Sequence, residues 1–471
     1  MECNLSKRFS LYTYGCQMNK YDSETISGYL EKEGYQPSEE VGDSDLVIVN
    51  TCSIREKAED KVYSQIGRLN KLKKKNPNLK IAVCGCFANR AGEEIAKRAQ
   101  SVDLIFGTQN IAKLPDLLEQ MEEGRVVDTE AIVPDFTSLE PMNRENGKSC
   151  WVSIARGCDN FCTFCVVPYT RGPEWSKPSH LIVEEVEKAV DEGFLEVTLL
   201  GQNVNSYGLK DKNELSFGGL LGRINEIKGL QRIRFTTSHP QNCDLEMIES
   251  MAEHEKVCEH LHLPFQSGSN NILNKMERGY TSEEYLEKIS MFYDKIPEGV
   301  LTSDVIVGFP GETDSDFEKT LDVVRQSRFE GIYSFKYSPR PGTPAYGMDD
   351  CLVDNKVIDE RFEELANVQK EITKENHDKL LGSVQEVLID KKLENNKNLQ
   401  DCASCCSGVV NSEEEFVSYV GKNRGSQRVV FLSKENDLKV GQTVNVKILR
   451  SGVQSIQGFY PEHEVEMELV K

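Results

Sequence analysis

The stretch Cys158-Asp159-Asn160-Phe161-Cys162-Thr163-Phe164-Cys165 decides how this chain is read. It is a C-x3-C-x2-C triplet placed just after the apolar run Trp151 to Ile154. Three thiolates this close in sequence can wrap one face of a small iron–sulfur cluster. A cubane [4Fe–4S] cluster normally takes four cysteines, so three leave one iron open for a substrate or cofactor. Phe161 and Phe164, lying between the cysteines, are expected to shield the cluster from water and so to act on its potential. A structural zinc site needs a second pair of ligands at similar spacing, and the next cysteine downstream is Cys243. A disulfide would leave an odd thiol. An open-site iron–sulfur cluster is the expectation.

Such a triplet after a first strand resembles the radical S-adenosylmethionine (SAM) superfamily. The resemblance implies that the open iron chelates the amino and carboxyl groups of SAM, and that electron donation cleaves SAM to a 5′-deoxyadenosyl radical.

Upstream, three apolar runs each end in a cysteine. Phe9 to Tyr14 runs into Gly15-Cys16, Leu46 to Val49 into Asn50-Thr51-Cys52, and Ile81 to Val83 into Cys84-Gly85-Cys86. Val and Ile enrichment without clean alternation predicts buried parallel strands. Helices are expected over Asp22 to Glu33, Arg55 to Lys75 and Ile111 to Met121, with a fourth strand at Val102 to Phe106. This βαβαβ pattern predicts an open α/β sheet, in which ligands gather outside the carboxyl ends of the strands. Cys16, Cys52 and Cys86 then converge on one point and are the candidate ligands of a second cluster. Cys84 competes with Cys86, since the two should share a face of the strand. Cys86 is preferred because Gly85 lets the backbone turn toward a ligand. A lone buried cysteine is more often a core residue; three at equivalent strand ends are a pattern. Lys71 to Lys75, a basic run at a helix end, reads as a solvated face. Pro134 to Ser149 reads as a linker.

From Trp151 onward, strand and helix alternate six times. The strands are expected near Trp151–Ala155, Glu196–Leu200, Arg232–Thr236, His260–Leu263, Thr302–Val307 and Gly331–Tyr337. Six repeats predict a partial α/β barrel, whose chemistry sits on the loops after the strands. Gly201, Gln202, Asn203, Ser238, His239, Gln266, Asp304 and Gly308 fall on or beside those loops and are the expected SAM contacts. His239 and His262 also suit a core role, as satisfied buried histidines.

Asp354 to Lys379 reads as a long charged helix, followed by short strands at Val384 to Ile389, Arg428 to Leu432 and Thr443 to Ile448, a pattern that predicts a small barrel. Between Gly421 and Ser451 seven Lys or Arg stand against two acids, a net +5 in a chain of −21. A local basic patch of this kind suits RNA phosphates, with Lys422, Arg424, Arg428 and Lys447 as candidate contacts. Asn395 to Glu415 reads as a polar insertion. Its Cys402, Cys405 and Cys406 lack a fourth ligand at matching spacing and suit a surface loop better than a metal site. Glu462 to Glu468 reads as a solvated acidic tail.

At 471 residues the chain exceeds one core, and two to four domains are expected. No run of about 18 apolar residues is present, so no membrane span is expected. Met1 to Ser10 lacks a signal-like apolar core, which predicts a cytoplasmic protein. In that setting 15 cysteines argue for metal ligation and free thiols over a disulfide framework. The negative total repels nucleic acid on average and puts any RNA contact on a patch.

The motifs TYGCQMNKYDSE (13–24), NTCSIREKAEDKV (50–62), RGCDNFCTFCVVPYTRG (156–172), GQNVNSYG (201–208) and TTSHP (236–240) together resemble the methylthiotransferases of the radical SAM superfamily, MiaB type, over nearly the whole chain. The resemblance implies an N-terminal α/β methylthiotransferase domain (1–140) with an auxiliary [4Fe–4S] cluster on Cys16, Cys52 and Cys86. It implies a radical SAM core (150–376) with its cluster on Cys158, Cys162 and Cys165, and a TRAM RNA-binding domain (379–452). The implied reaction is methylthiolation at C2 of N6-isopentenyladenosine next to the tRNA anticodon. One SAM methylates a sulfur held on the auxiliary cluster and a second gives the radical that abstracts the C2 hydrogen. Implied partners are the anticodon stem-loop, a flavodoxin- or ferredoxin-type electron donor and a protein supplying sulfur or Fe–S units, with the enzyme a monomer. Sibling enzymes act on threonylcarbamoyl-adenosine or on an aspartate of a ribosomal protein; the motifs at 168–172 and 201–205 look more like the isopentenyl type. A non-catalytic Fe–S RNA-binding protein is the alternative of another class.

Overall fold

The computed structural model describes residues 7–53, 56–130, 132, 133, 136–138, 144, 147–393, 416–433 and 437–460. Cys3, the cysteine-bearing insertion, Lys434 and the acidic tail lie outside the described residues.

The first unit is a six-stranded sheet, every pairing parallel, in the order β2-β1-β3-β4-β5-β6. Its strands are β1 Arg8–Thr13, β2 Gln36–Pro37, β3 Leu46–Thr51, β4 Lys80–Gly85, β5 Leu104–Phe106 and β6 Val126–Asp128. Side chains alternate across each strand, so both faces must be apolar. Leu46, Ile48, Ala82 and Phe106 pack under α1 (Gln17–Lys32) and α4 (Leu114–Glu123). Val47, Val49, Ile81 and Val83 pack under α2 (Glu56–Lys73) and α3 (Cys86–Arg98). This two-sided burial explains why the strands read as unbroken apolar runs. The edge strands β2 and β6, and the helix α3 that begins on Cys86 itself, were not expected from the sequence. Two or three residues are too few to show a strand's period.

Two three-stranded parallel sheets form the middle unit: β7 (Ser149–Ser153), β10 (Glu196–Leu200) and β11 (Arg232–Thr236), then β12 (His260–His262), β13 (Val300–Val307) and β14 (Gly331–Lys336). A parallel bridge pairs Ile233 of β11 with Val257, just ahead of β12. The result is a partial barrel of six strands with a seam between β7 and β14. A short antiparallel pair, β8 (Ala155–Arg156) and β9 (Trp175–Ser176), brackets the cysteine loop and α5 (Val167–Arg171). Helices α6 (Ser179–Asp191), α7 (Phe217–Asn225), α8 (Leu245–Glu253), α9 (Asn270–Lys275), α10 (Ser282–Lys295) and α11 (Asp314–Ser327) follow the strands. Capping boxes at Thr281/Glu284 and Thr313/Asp316 fix the starts of α10 and α11.

Helix α12 (Asn355–Lys379) runs back along the barrel with Ile358, Leu365 and Ile372 buried. It delivers the chain to the amino ends of the strands. There β15 (Val384–Lys392), β16 (Val417–Asn423), β17 (Arg428–Ser433), β18 (Thr443–Ser451) and β19 (Ile456–Phe459) close a five-stranded barrel around Val387, Tyr419, Phe431, Val446 and Ile456. Its last strand lies beyond residue 452, the boundary expected from the sequence. Arg232 holds Glu386 at 2.8 Å and the Lys422 carbonyl at 3.0 Å. Arg234 donates to the carbonyls of Asn423 and Arg424, each at 2.8 Å.

Candidate active site

The cysteine triplet lies between β8 and α5 and is pinned at several points. The Gly157 amide donates to Gln202 Oε1 at 2.6 Å, and Cys158 N to the Gly172 carbonyl at 3.2 Å. Thr163 Oγ1 donates to the Lys275 carbonyl at 2.8 Å. Cys158 and Cys162 are buried and Cys165 is half-buried. Burial pushes the Cys158 thiol up to about 11 and the Cys165 thiol up to about 12. A metal ligand must be the thiolate, so loading a cluster here expels protons. The guanidinium of Arg278 offers compensation: its Nη1 donates to Cys162 Sγ at 3.3 Å. Phe164 packs inward beside Ile272, Met276 and Phe309, as a shield should. Phe161 does not: it is 55% exposed and meets Tyr169 edge to face.

The second trio stands at the carboxyl ends of three neighbouring strands. Cys16 caps α1 after β1, Cys52 follows β3, and Cys86 opens α3 after β4. Gly15 (φ +124°) shows how tightly they gather: a Cβ there would stand 2.7 Å from Cys52 Cβ. Cys84 faces the other way, into the core with Ile26, Phe106 and Leu114. The strand ends at Gly85, so the expected shared face of Cys84 and Cys86 does not form. Burial raises the Cys86 thiol, while Arg171 opposes the rise. Arg171 Nε donates to Cys86 Sγ at 3.2 Å, and its Nη2 to Asn19 Oδ1 at 2.9 Å and Asp22 Oδ2 at 3.0 Å.

Among the described residues, no three His, Cys, Asp or Glu side chains close on a single ion. A cluster asks for something else, one thiolate for each iron it binds. Both trios suit it in chemistry: two buried thiols and one half-buried thiol in each, and a buried arginine donating to one sulfur of each.

Helix α1 joins the two trios. Asp22 accepts from Arg171 and, through Oδ1, from Arg156 at 2.8 Å, two residues before Cys158. Met18 and Tyr21 pack on Leu200 of β10, together with Cys16 and Trp151, and the Tyr21 hydroxyl donates to Glu185 Oε1 on α6 at 3.3 Å. Cys16 therefore borders the partial barrel at β7 and β10. Gln109 Nε2 donates to the Arg171 carbonyl at 2.8 Å and Asn89 Nδ2 to the Thr170 carbonyl at 2.7 Å. None of these arginine contacts was assigned from the sequence, although Arg156 and Arg171 lie in the quoted cysteine motif.

The expected SAM contacts divide. Asn203 Oδ1, Ser238 Oγ and His239 Nε2 are buried without a partner among the described residues, as is Ser153 Oγ, which the sequence did not single out. Burial, with Arg278 nearby, takes the His239 pKa down to about 2. Gln202 serves the cysteine loop as above. Gln266 is held at φ +68° between Asp304 and Ile306 by backbone hydrogen bonds. Gly201 packs near Val204 and Ala155. Gly308 has another reason to be glycine: a Cβ there would stand 2.4 Å from Ile358 Cγ1. Asp304 lies 3.5 Å from His262 Nε2, and His262 Nδ1 lies 3.0 Å from Thr302 Oγ1.

The candidate RNA residues divide too. Lys422 and Arg428 are exposed and directly opposite each other on β16 and β17. Lys447 is half-buried. Arg424 is spent on the joint between barrels, paired with Glu259 at 2.7 Å and donating to the Val257 carbonyl at 2.8 Å.

The sequence matches the family described as "Uncharacterized protein family UPF0004" over residues 8–107 and the radical SAM superfamily over residues 152–324. It is 44% identical over 457 residues to the tRNA-2-methylthio-N(6)-dimethylallyladenosine synthase of Acetivibrio thermocellus, covering 96% of this chain and 90% of that protein. The protein so named from Carboxydothermus hydrogenoformans is 44% identical over 458 residues, covering 96% and 99%. That from Aquifex aeolicus is 42% identical over 458 residues, covering 96% and 98%. Among solved structures, a radical S-adenosylmethionine methyltransferase, TsrM, from Kitasatospora setae superposes with a TM-score of 0.56 at 13% identity, covering 78% of this chain and 89% of that one. At that identity the likeness is one of fold.

Proposed function

Because the chain belongs to the family of tRNA-2-methylthio-N(6)-dimethylallyladenosine synthases, methylthiotransferases of the radical SAM superfamily, we propose that it places a methylthio group on C2 of N6-isopentenyladenosine beside the tRNA anticodon. The observation that supports this reading is the buried chain Cys86–Arg171–Asp22–Arg156, which links a cysteine of one trio to the segment that leads into the other.

When bound, SAM and a [4Fe–4S] cluster supply a hydrogen-atom abstractor strong enough for an inert C2–H, and a second cluster supplies the sulfur. Cys158, Cys162 and Cys165 would hold the first, and Cys16, Cys52 and Cys86 the second. Arg278 and Arg171 donate to one sulfur of each trio and offset its negative charge. Asn203, Ser238 and His239 offer the unpartnered polar atoms a SAM molecule needs. His239 stays neutral at working pH and acts as a hydrogen-bond partner, not a cation. Met18, Tyr21 and Leu200 pack beside Cys16 and Trp151 and would keep water from that side of the trio.

The closed C-terminal barrel would grip the anticodon stem. Lys422 and Arg428 face each other across the strands, an arrangement that is unfavourable until an anion lies between or over them. The target base leaves its stack to reach the two trios. Electrons would come from a flavodoxin- or ferredoxin-type donor, and sulfur from a separate supply protein. The enzyme would work in the cytoplasm, as a monomer.

Mass analysis of tRNA nucleosides from a strain lacking this chain is the test. Loss of 2-methylthio-N6-isopentenyladenosine, with its unthiolated precursor accumulating and the loss reversed by the restored chain, is expected. Unchanged nucleosides would overturn the proposal.

A further inference from the structure

The interior wall of the partial barrel carries a second group of side chains that neither trio uses. On β13, Leu301, Ser303, Val305 and Val307 are buried, and the three apolar ones belong to the core under the helices. Alternation turns Thr302, Asp304 and Ile306 to the interior. The parallel register sets Gly331, Tyr333 and Phe335 of β14 beside those three. Tyr333 therefore stands on the interior side of the last strand, at the seam across from β7.

A tyrosine inside a barrel is normally packed. Tyr333 is 61% exposed. Its ring contact among the described residues is His262, edge to face with centroids 5.9 Å apart. His262 is in turn fixed by Thr302 and Asp304. Asp304 keeps its Oδ2 without a partner among the described residues, and its side chain is 26% exposed. Across the seam, Trp151 of β7 stands with Cys16, Met18 and Leu200. An exposed aromatic face, an unspent carboxylate oxygen and an apolar margin thus line one mouth, opposite the wall that carries Cys16.

The geometry points to Tyr333 and Asp304 as the seat of the unstacked target base, an inference that rests on the functional reading above. The adenine ring stacks on Tyr333, as unpaired bases do on aromatic platforms. The N6–H donates to the free Asp304 oxygen. The apolar N6 substituent lies against Ile306 and Phe335. Asp304 then serves the base and not SAM. The same carboxylate sets the specificity: it tolerates a neutral isopentenyl group and repels an N6 substituent that ends in a carboxylate, such as threonylcarbamoyl.

The test uses the full chain with reconstituted clusters and SAM, and anticodon hairpins bearing N6-isopentenyladenosine, threonylcarbamoyl-adenosine or an abasic site at the target position. The wild-type chain is expected to prefer the isopentenyl hairpin over the abasic one. Tyr333→Ala should erase that preference, a loss of about tenfold to a hundredfold for the base-bearing hairpin alone, and Tyr333→Phe should keep it. Asp304→Asn should narrow the gap between the isopentenyl and threonylcarbamoyl hairpins. If the wild-type chain does not distinguish base from abasic site, the functional reading itself fails. If it does, and the preference survives Tyr333→Ala, or the gap is unmoved in Asp304→Asn, the seat is elsewhere and only this inference fails.

Discussion

Arg171 Nε stands 3.2 Å from Cys86 Sγ, across the boundary between the N-terminal sheet and the partial barrel. The same guanidinium holds Asn19 and Asp22 on α1. One side chain thus reads the position of one cysteine trio from the loop that carries the other. Arg278 makes the corresponding contact to Cys162 at 3.3 Å. Positive charge and hydrogen bonds at cluster sulfurs are levers on potential.

Replacing Arg171 by methionine leaves the Asp22 carboxylate buried with Arg156 as its remaining guanidinium partner. Breaking a buried pair in this way costs about 3–5 kcal/mol, to be read from urea denaturation. Arg171→Lys keeps the charge but loses the fork that spans Cys86, Asn19 and Asp22. It should fold and shift the auxiliary-cluster potential in an EPR-monitored redox titration. A wild-type potential in a folded Arg171→Lys protein would remove the residue from that site.

Cys84 and Cys86 separate by iron content. Cys86→Ala should fall from about eight irons per chain toward about four and keep SAM cleavage without sulfur insertion. Cys84→Ala, which trims a core side chain, should keep its iron and lose roughly 1 kcal/mol. Cys162→Ala should lose SAM cleavage with the fold retained. The reverse pattern for Cys84 and Cys86 would make Cys84 the ligand.

His377 on α12 bridges Glu330 and the Gly452 carbonyl of the C-terminal barrel. Burial pulls its imidazole down, but the hydrogen bond to Glu330 and that carboxylate's charge outweigh it, and the pKa stands above the usual 6.5. A raised pKa in the folded state means the stabilisation is complete below 6.5 and fades as pH climbs through the raised value. Urea midpoints should therefore fall from pH 6.5 upward more steeply in the wild-type chain than in His377→Gln. Parallel slopes would contradict this.

Lys422→Ala and Arg428→Ala should each weaken every hairpin alike and lower the slope of log affinity against log salt by about 0.7–0.9. Arg424→Ala should act through stability instead, because its guanidinium is spent on Glu259 and the Val257 carbonyl. A salt slope that changes only with Arg424 would reverse these assignments.

Much of the N-terminal sheet was legible because its central strands are buried on both faces and stop at glycine or cysteine. The expected ranges of β10 and β11 match the observed ones residue for residue. The placement of Cys16, Cys52 and Cys86 at neighbouring strand ends was legible because the strand ends of an open α/β sheet share one side. Arg171, Arg278 and Tyr333 were not. Their roles come from packing between distant segments and from the register of β13 with β14, which no local period encodes. Arg424 misled for the same reason: a basic run shows charge, and only the docked barrels show that Glu259 already neutralises it. Strands β16 and β19 were missed because one follows the polar insertion and the other is short.

The most direct measurement uses hairpin RNA whose N6-isopentenyladenosine carries deuterium at C2, incubated with the cluster-loaded chain, reductant and SAM. Mass spectrometry should find deuterium in 5′-deoxyadenosine in step with the appearance of 2-methylthio-N6-isopentenyladenosine. 5′-Deoxyadenosine free of deuterium, with the RNA recovered unmodified, would contradict the claim that both cysteine trios work on one base in one chamber.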